Sequence, residues 1–261
     1  MSGEDRRQIK KAGRREAQLK KVDQKMESEA NYFWSCKERS RGKPVQGHQS
    51  EKELFGKQST FAIDFSKYEA VEVSRSGPGA DAAEVLHDFR DLGKDLPNFL
   101  AKNLELMQYR VPTPIQKHSI PLALKDKDLM CCAQTGSGKT CAFLLPVVAH
   151  LGASGHKPAH ESDDKWDPAL PRCVIMAPTR ELILQIHVEA QKCCNGSGLR
   201  AVVVYGGAQV REQLAELACG CDIAVATPGR MADFVERELV QFKKIKYLVL
   251  DEADRMLDMG F

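Results

Sequence analysis

Apolar residues along this chain gather into short runs separated by stretches of helical spacing. Cys173–Met176, Ala201–Val204, Ile223–Val225 and Tyr247–Leu250 are continuous apolar runs, the pattern of parallel strands covered on both faces. Between them, Leu182, Ile186 and Ala190, then Val210, Leu214 and Leu217, then Met231, Phe234 and Val235 recur at helical spacing. Upstream, Asp128-Leu129-Met130-Cys131-Cys132 reads as a further buried strand, and Cys141-Ala142-Phe143-Leu144-Leu145 as the start of a helix. Leu96, Phe99, Leu100, Leu104 and Met107 share one helical face. Thr113-Pro114 predicts another helix start, with Thr113 as N-cap and Pro114 in the first position. Pro121 is expected to interrupt that helix after about two turns. Strand alternating with helix predicts an α/β fold, an open parallel sheet with helices on both faces. No internal repeat is visible.

The first third reads differently. Residues 4–29 are highly charged, with Leu19, Val22 and Met26 at helical spacing. This pattern fits a solvated helix or a disordered basic arm. It attracts RNA nonspecifically in one reading and is a solvated tail in the other. Residues 30–60 lack sustained periodicity and are expected to be mostly unstructured. Ser74-Arg75-Ser76-Gly77-Pro78-Gly79-Ala80 has linker composition. The expected organisation is therefore a flexible basic extension over 1–80 and one domain over 81–261.

Charge and composition refine this picture. The net charge of +2 conceals a basic start, with thirteen Lys/Arg against seven Asp/Glu in residues 1–43. Met1-Ser2-Gly3-Glu4-Asp5-Arg6-Arg7 has no apolar core of a secretory signal. The longest apolar stretch, Cys141 to Ala149, contains Pro146 and is too short to span a bilayer. The nine cysteines form no paired CxxC units and sit mostly in apolar runs. They read as reduced core residues of an intracellular protein rather than metal ligands. No membrane association is expected.

The chemistry centres on Ala133-Gln134-Thr135-Gly136-Ser137-Gly138-Lys139-Thr140. A Gly-rich loop, then Lys-Thr, between an apolar run and a helix is the context of a phosphate-binding P-loop. Its glycines let successive N–H groups turn toward phosphate oxygens, and the helix N-terminus adds its positive end. Lys139 would reach the β- and γ-phosphates, and Thr140 would hold Mg²⁺. The first slot is Ala133, where the general pattern has Gly. Far downstream, Tyr247–Leu250 runs directly into Asp251-Glu252-Ala253-Asp254. An open α/β sheet places its ligand site at the carboxyl ends of its strands. Asp251 is expected to assist Mg²⁺, and Glu252 to activate the attacking water.

At these residues the chain resembles the DEAD-box RNA helicases, most of all their Vasa-type branch. Asp251–Asp254 is similar to the family's name-giving tetrad, and the initial Ala133 matches the family form of the P-loop. Pro178-Thr179-Arg180-Glu181-Leu182, Gly206-Gly207 and Thr227-Pro228-Gly229-Arg230 resemble three further motifs in the expected order. Phe89, Tyr109 and Pro112-Thr113-Pro114-Ile115-Gln116 resemble the adenine-reading Q motif. The resemblance covers about 89–261, and extends more loosely through Glu53-Leu54-Phe55-Gly56 and Phe65-Ser66-Lys67-Tyr68.

The resemblance implies a RecA-like domain, ATP and Mg²⁺ as ligands, and RNA-stimulated ATP hydrolysis coupled to local RNA or ribonucleoprotein remodelling. Gln116 would pair with adenine, which favours ATP over GTP. Tyr109 would stack on the base. Val111 stands where close relatives often have Arg, and Gln108 where Gly is frequent, so weaker adenine stacking is expected. Pro178, Thr179, Arg180, Gly206, Gly207, Thr227, Pro228, Gly229 and Arg230 would face the RNA backbone, giving sequence-independent, salt-sensitive binding.

A full family member continues with a Ser-Ala-Thr motif and a second RecA-like domain, and nothing here matches either. The family's Ser-Ala-Thr strand lies between the P-loop strand and the tetrad strand. Without it, the sheet is expected to carry a gap, and the chain is read as an N-terminal portion or truncated isoform without unwinding competence. Asp254 would contact the absent region. The alternative is a non-catalytic product that binds RNA, nucleotide or protein partners, the last through the extension. A cytoplasmic or nuclear monomer is the expectation.

Overall fold

In the computed structural model, β1 (Cys173–Met176), β2 (Ala201–Val204), β3 (Ile223–Ala226) and β4 (Tyr247–Leu250) form one parallel sheet. The strand order is β2-β3-β1-β4. The structure describes residues 3–40, 51–56, 71–80, 84–153, 167–207 and 209–261. Cys173 lies opposite both Ile223 and Tyr247, and Ala201 opposite Ile223, so all four strands end level. The ladder runs one residue further: Ala177 N–H donates to the Ala226 carbonyl, Thr227 to Val204 and Asp251 to Met176. The loops that leave these strands therefore share one edge.

Side chains alternate across the sheet as a period of two requires. Cys173, Ile175, Ile223 and Val225 face one core cluster, and Val174, Val202, Ala224 and Ala226 face the other. The first face is covered by α3 (Asn98–Leu106), α4 (Pro114–Ala123), α5 (Lys139–Ala153) and α6 (Arg180–Cys194). The second is covered by α1 (Gly3–Ser40), α7 (Val210–Ala218) and α8 (Pro228–Glu236). Short helices α2 (Glu51–Gly56) and α9 (Ala253–Asp258) complete the set. Ile175, Ile186, Leu144 and Phe234 are fully buried, each worth roughly 1.5–3 kcal/mol of transfer free energy. No described helix is long and apolar enough to cross a membrane.

The amino ends of the strands are held by a buried charge network. Arg172 pairs with Asp222 at 2.7 Å, with side chains 4% and 0% exposed. The second Asp222 oxygen accepts the Arg200 N–H at 2.9 Å, and Arg200 reaches Glu216 at 2.9 Å. One carboxylate thus ties the entries of β1, β2 and β3 together.

Several expectations are corrected. Asp128–Cys132 is neither strand nor buried: it has no regular structure, and Met130 is 93% exposed. A run of this kind becomes a strand only with a hydrogen-bonding neighbour and cover on both faces. Among the described residues nothing pairs with the outer edge of β4. Leu248 and Leu250, in register with Val174 and Met176, stay 59% and 49% exposed on the face that α7 and α8 cover elsewhere. For the same reason Cys131 and Cys132 are exposed, whereas Cys36, Cys141, Cys173, Cys193, Cys194 and Cys221 are buried thiols.

Residues 30–40 are not unstructured. Helix α1 runs through them, and Phe33 and Cys36 enter the core cluster built on α7 and α8. Residues 51–56 also form a helix. Helix α4 continues past Pro121 to Ala123, because the Lys117 carbonyl that proline leaves unpaired accepts the Leu86 N–H at 2.9 Å. The resemblance at Phe65–Tyr68 and the boundary at Asp81 lie outside the described residues.

Candidate nucleotide site and nucleic-acid face

The P-loop turns over Thr135–Gly138 and enters α5 at Lys139. Gly136 and Gly138 adopt φ +81° and +89°, a region that excludes most side chains. A Cβ on Gly138 would also lie 2.5 Å from Gln116 Nε2. Lys139 folds back into its own loop, with Nζ donating to the Ala133 carbonyl at 2.6 Å and the Gln134 carbonyl at 3.0 Å. The Ser137 hydroxyl is buried without a partner among the described residues. Thr140 is half-buried in the first turn of α5.

The Q-motif residues are drawn toward the protein rather than outward. Gln116 is fully buried. Its Oε1 accepts the Thr113 N–H at 2.9 Å, and its Nε2 donates to the Gly138 carbonyl at 3.0 Å. In this conformation its amide is committed to α4 and the P-loop, not presented to a base. Phe89 is 4% exposed and meets Tyr109 edge to face at 5.5 Å between centroids. Tyr109 packs against the core cluster, and burial pushes its hydroxyl well above the usual phenol range. Phe89 belongs to the 3-10 turn Phe89–Lys94 and is buried, while Tyr109 is half-buried beside Cys141 of α5 and Cys193 of α6. Gln108 adopts φ +60°, so a geometry that favours glycine is occupied here by a residue with a side chain.

Asp251 and Glu252 sit where β4 ends. Asp251 is 8% exposed and accepts the Glu252 N–H at 3.1 Å. Burial raises its pKa above the ordinary carboxylate value, and the Lys139 charge works in the opposite direction. The two groups therefore feel each other across the site. Glu252 is left-handed at φ +51° and pairs with Arg255 at 2.9 Å.

The expected RNA-facing residues converge at the edge of β1, β2 and β3. Pro178 is buried, and Thr179 caps α6 by accepting the Leu182 N–H at 3.3 Å. The Arg180 guanidinium lies over the Tyr205 ring at 4.9 Å. Gly207, at φ +76°, leaves room for it, since a Cβ there would stand 3.0 Å from Arg180 Nη1. Gly206 lies beside this contact at the rim of a shared cleft. Thr227 and Pro228 open α8 as cap and first residue, with Gly229 exposed after them. Arg230 pairs with Asp233 at 3.2 Å. Two helix N-termini and two guanidinium groups are thus gathered on one face.

Reading the sequence missed two contributors, Arg237 and Glu29. They pair at 3.0 Å with side chains 7% and 10% exposed, and fasten α1 beside α8. The one available signal was the helical spacing of Val22 and Met26, which continues through Glu29 to Phe33. No cluster of metal-ligating side chains stands out among the described residues.

A family model for the DEAD/DEAH box helicase matches residues 113–261. Over 218 residues, 84% of the chain, the sequence is 46% identical to the probable ATP-dependent RNA helicase DDX4 of Rattus norvegicus and of Homo sapiens. The chain spans only 29% of the length of those relatives. Among solved structures, the RNA-helicase Prp28 from Chaetomium thermophilum bound to ADP superposes with a TM-score of 0.59 at 35% identity. That match covers 82% of this chain and 47% of Prp28. A DEAD box protein from the hyperthermophile Methanococcus jannaschii gives 0.57 at 31% identity, over 67% of this chain and 44% of that one. With a family match over more than half its residues, and solved neighbours that superpose on it at over 30% identity, the chain belongs to the DEAD/DEAH box helicase family and has its RecA-like fold.

Proposed function

We propose that this chain is the ATP-binding part of an ATP-dependent RNA helicase, and that it binds Mg-ATP at the P-loop and RNA backbone at the neighbouring sheet edge. One observation carries the reading: Lys139 folds over a loop in which Gly136 and Gly138 hold positive φ and the Ser137 hydroxyl is buried without a partner among the described residues, and its charge reaches the buried Asp251 carboxyl. A cation that can leave its own carbonyls, and a buried carboxylate, suit a phosphate and a divalent ion together. The donor set fits Mg²⁺, with Thr140 and Asp251 supplying hard oxygen ligands. Mg²⁺ would neutralise charge on the phosphates when bound.

The protein's own groups account for the rest. Lys139 exchanges the Ala133 and Gln134 carbonyls for phosphate oxygens. The Gly136–Gly138 backbone and the start of α5 direct N–H groups at the same oxygens. Glu252 leaves Arg255 and takes a proton from the water that attacks the γ-phosphate in line, as the bond to the β–γ bridging oxygen breaks and ADP leaves with that oxygen. Gln116 must exchange the Gly138 carbonyl for adenine if it is to select the base, so base reading and loop opening are coupled. Arg180, Arg230 and the N-termini of α6 and α8 hold phosphates of the RNA strand.

A second reading, binding without turnover, is supported by the Glu252–Arg255 pair, which already engages the expected base. Hydrolysis of Mg-ATP that disappears in Lys139→Ala favours the enzyme; RNA binding with no turnover favours the second reading. The shared element is tested by fluorescence anisotropy with short single-stranded RNAs. Affinity should be alike across sequences, fall steeply with salt, and drop roughly tenfold in Arg230→Ala. Salt-insensitive or base-specific binding would contradict it.

A further inference from the structure

Beside the RNA-facing motifs lies a cleft of about 670 Å³, and helix α1 forms one of its walls. Its residues there are Val22, Lys25, Met26 and Glu29, facing Arg180 and Arg230. Spacing of three, four and seven residues puts those four on one stripe of the helix. The same stripe continues into Phe33, fully buried, and Cys36, 9% exposed. The later part of α1 is docked and the earlier part overhangs.

The docking is specific. Glu29 pairs with Arg237 at 3.0 Å, and Arg237 Nη2 donates to the Met26 carbonyl at 3.2 Å. Lys37 donates to the Asp167 and Pro168 carbonyls. These contacts fix the direction in which the preceding turns leave. Val22 and Met26, 48% and 36% exposed, are thereby held along the cleft. The Lys25 side chain is 75% exposed and lies 3.9 Å from Glu29, a separation and exposure at which pairing contributes little.

The cleft carries Lys25, Arg180, Arg230 and Arg237 against Glu29 and Asp233, so its charge is net positive. Cations on both walls suit a phosphodiester backbone. The apolar surface of Val22 and Met26 suits the face of a base or ribose, which free phosphate lacks. We propose that α1 is a second wall of the RNA site: single-stranded RNA lying on the α6 and α8 N-termini also runs against α1. Lys25 contacts a phosphate, Val22 and Met26 contact a base or ribose, and Glu29 and Arg237 position the helix. This proposal rests on the RNA-binding reading given above.

The test uses the full chain and a fluorescein-labelled oligouridylate at about 0.1 M salt. Lys25→Glu should weaken binding roughly five- to tenfold and lower the salt slope by about one. Lys20→Glu, the same charge change on the opposite side of the helix, should stay within about twofold. With 4-thiouridine in the RNA, photocrosslinks on the unaltered chain should map to residues 22–29. Unchanged affinity in Lys25→Glu, or no crosslink to α1, overturns the proposal while a weakened Arg230→Ala leaves the RNA reading standing. If neither Lys25→Glu nor Arg230→Ala weakens binding, the RNA reading itself fails.

Discussion

Gln116 donates to the Gly138 carbonyl at 3.0 Å while accepting the Thr113 N–H at 2.9 Å. A single buried amide therefore joins the start of α4 to the phosphate-binding loop. Gln116→Ala would strip partners from both groups, which costs about 1–3 kcal/mol when a buried group is left unsatisfied. A thermal melt should show a fall of several degrees. Gln116→Glu keeps the acceptor but sets a buried carboxylate oxygen against the Gly138 carbonyl, so it should melt at least as low as Gln116→Ala at neutral pH.

Asp251 gives a prediction of unusual sign. Burial raises its pKa, so the folded state binds the proton more tightly than the unfolded chain. Its contribution is greatest below the unfolded value of 3.8 and is lost as pH rises through the raised folded value. Asp251→Asn removes the buried charge and nearly keeps the shape. Without nucleotide, this variant should melt above the wild type at neutral pH and match it in acid. Paired melts across pH check this, and the same variant should lose its response to Mg-ATP.

Asp222 tests the strand-entry network. Its removal would leave Arg172, 4% exposed, without its carboxylate. Breaking a buried pair from one side costs about 3–5 kcal/mol. Chemical denaturation of Asp222→Ala should show that loss with an unchanged m-value.

Gln108 offers a gain. Its φ of +60° follows the end of α3, where its N–H donates to the Glu105 carbonyl at 2.9 Å. Glycine takes this conformation without the cost of a Cβ, so Gln108→Gly should add about 1 kcal/mol. A domain of this size would melt roughly 2–4 °C higher.

The four strands were legible because each is a short continuous apolar run flanked by helical spacing, and Cys173–Met176 is found over the expected residues. The Thr113 and Thr227 starts were legible for a local reason, a cap followed by proline. Asp128–Cys132 was misread because its conformation depends on a neighbouring strand, which its own residues do not encode. The docking of α1 was missed because Phe33 and Cys36 acquire meaning only against α7 and α8. At the site, the P-loop could be named from its spacing, and the tetrad from its place after an apolar run together with the family resemblance. The Gln116–Gly138 and Glu29–Arg237 links could not, since each joins residues far apart in sequence.

The central claim is a P-loop that accepts Mg-ATP once Lys139 leaves its own carbonyls. The most direct measurement is a thermal melt of the full chain with and without Mg-ATP, for wild type and Lys139→Ala. The account predicts one cooperative transition that rises with Mg-ATP in the wild type, by an amount equivalent to about 2.7 kcal/mol at a hundredfold excess over Kd. It predicts no rise in Lys139→Ala. A wild type indifferent to Mg-ATP, or an equal rise in both proteins, would contradict it.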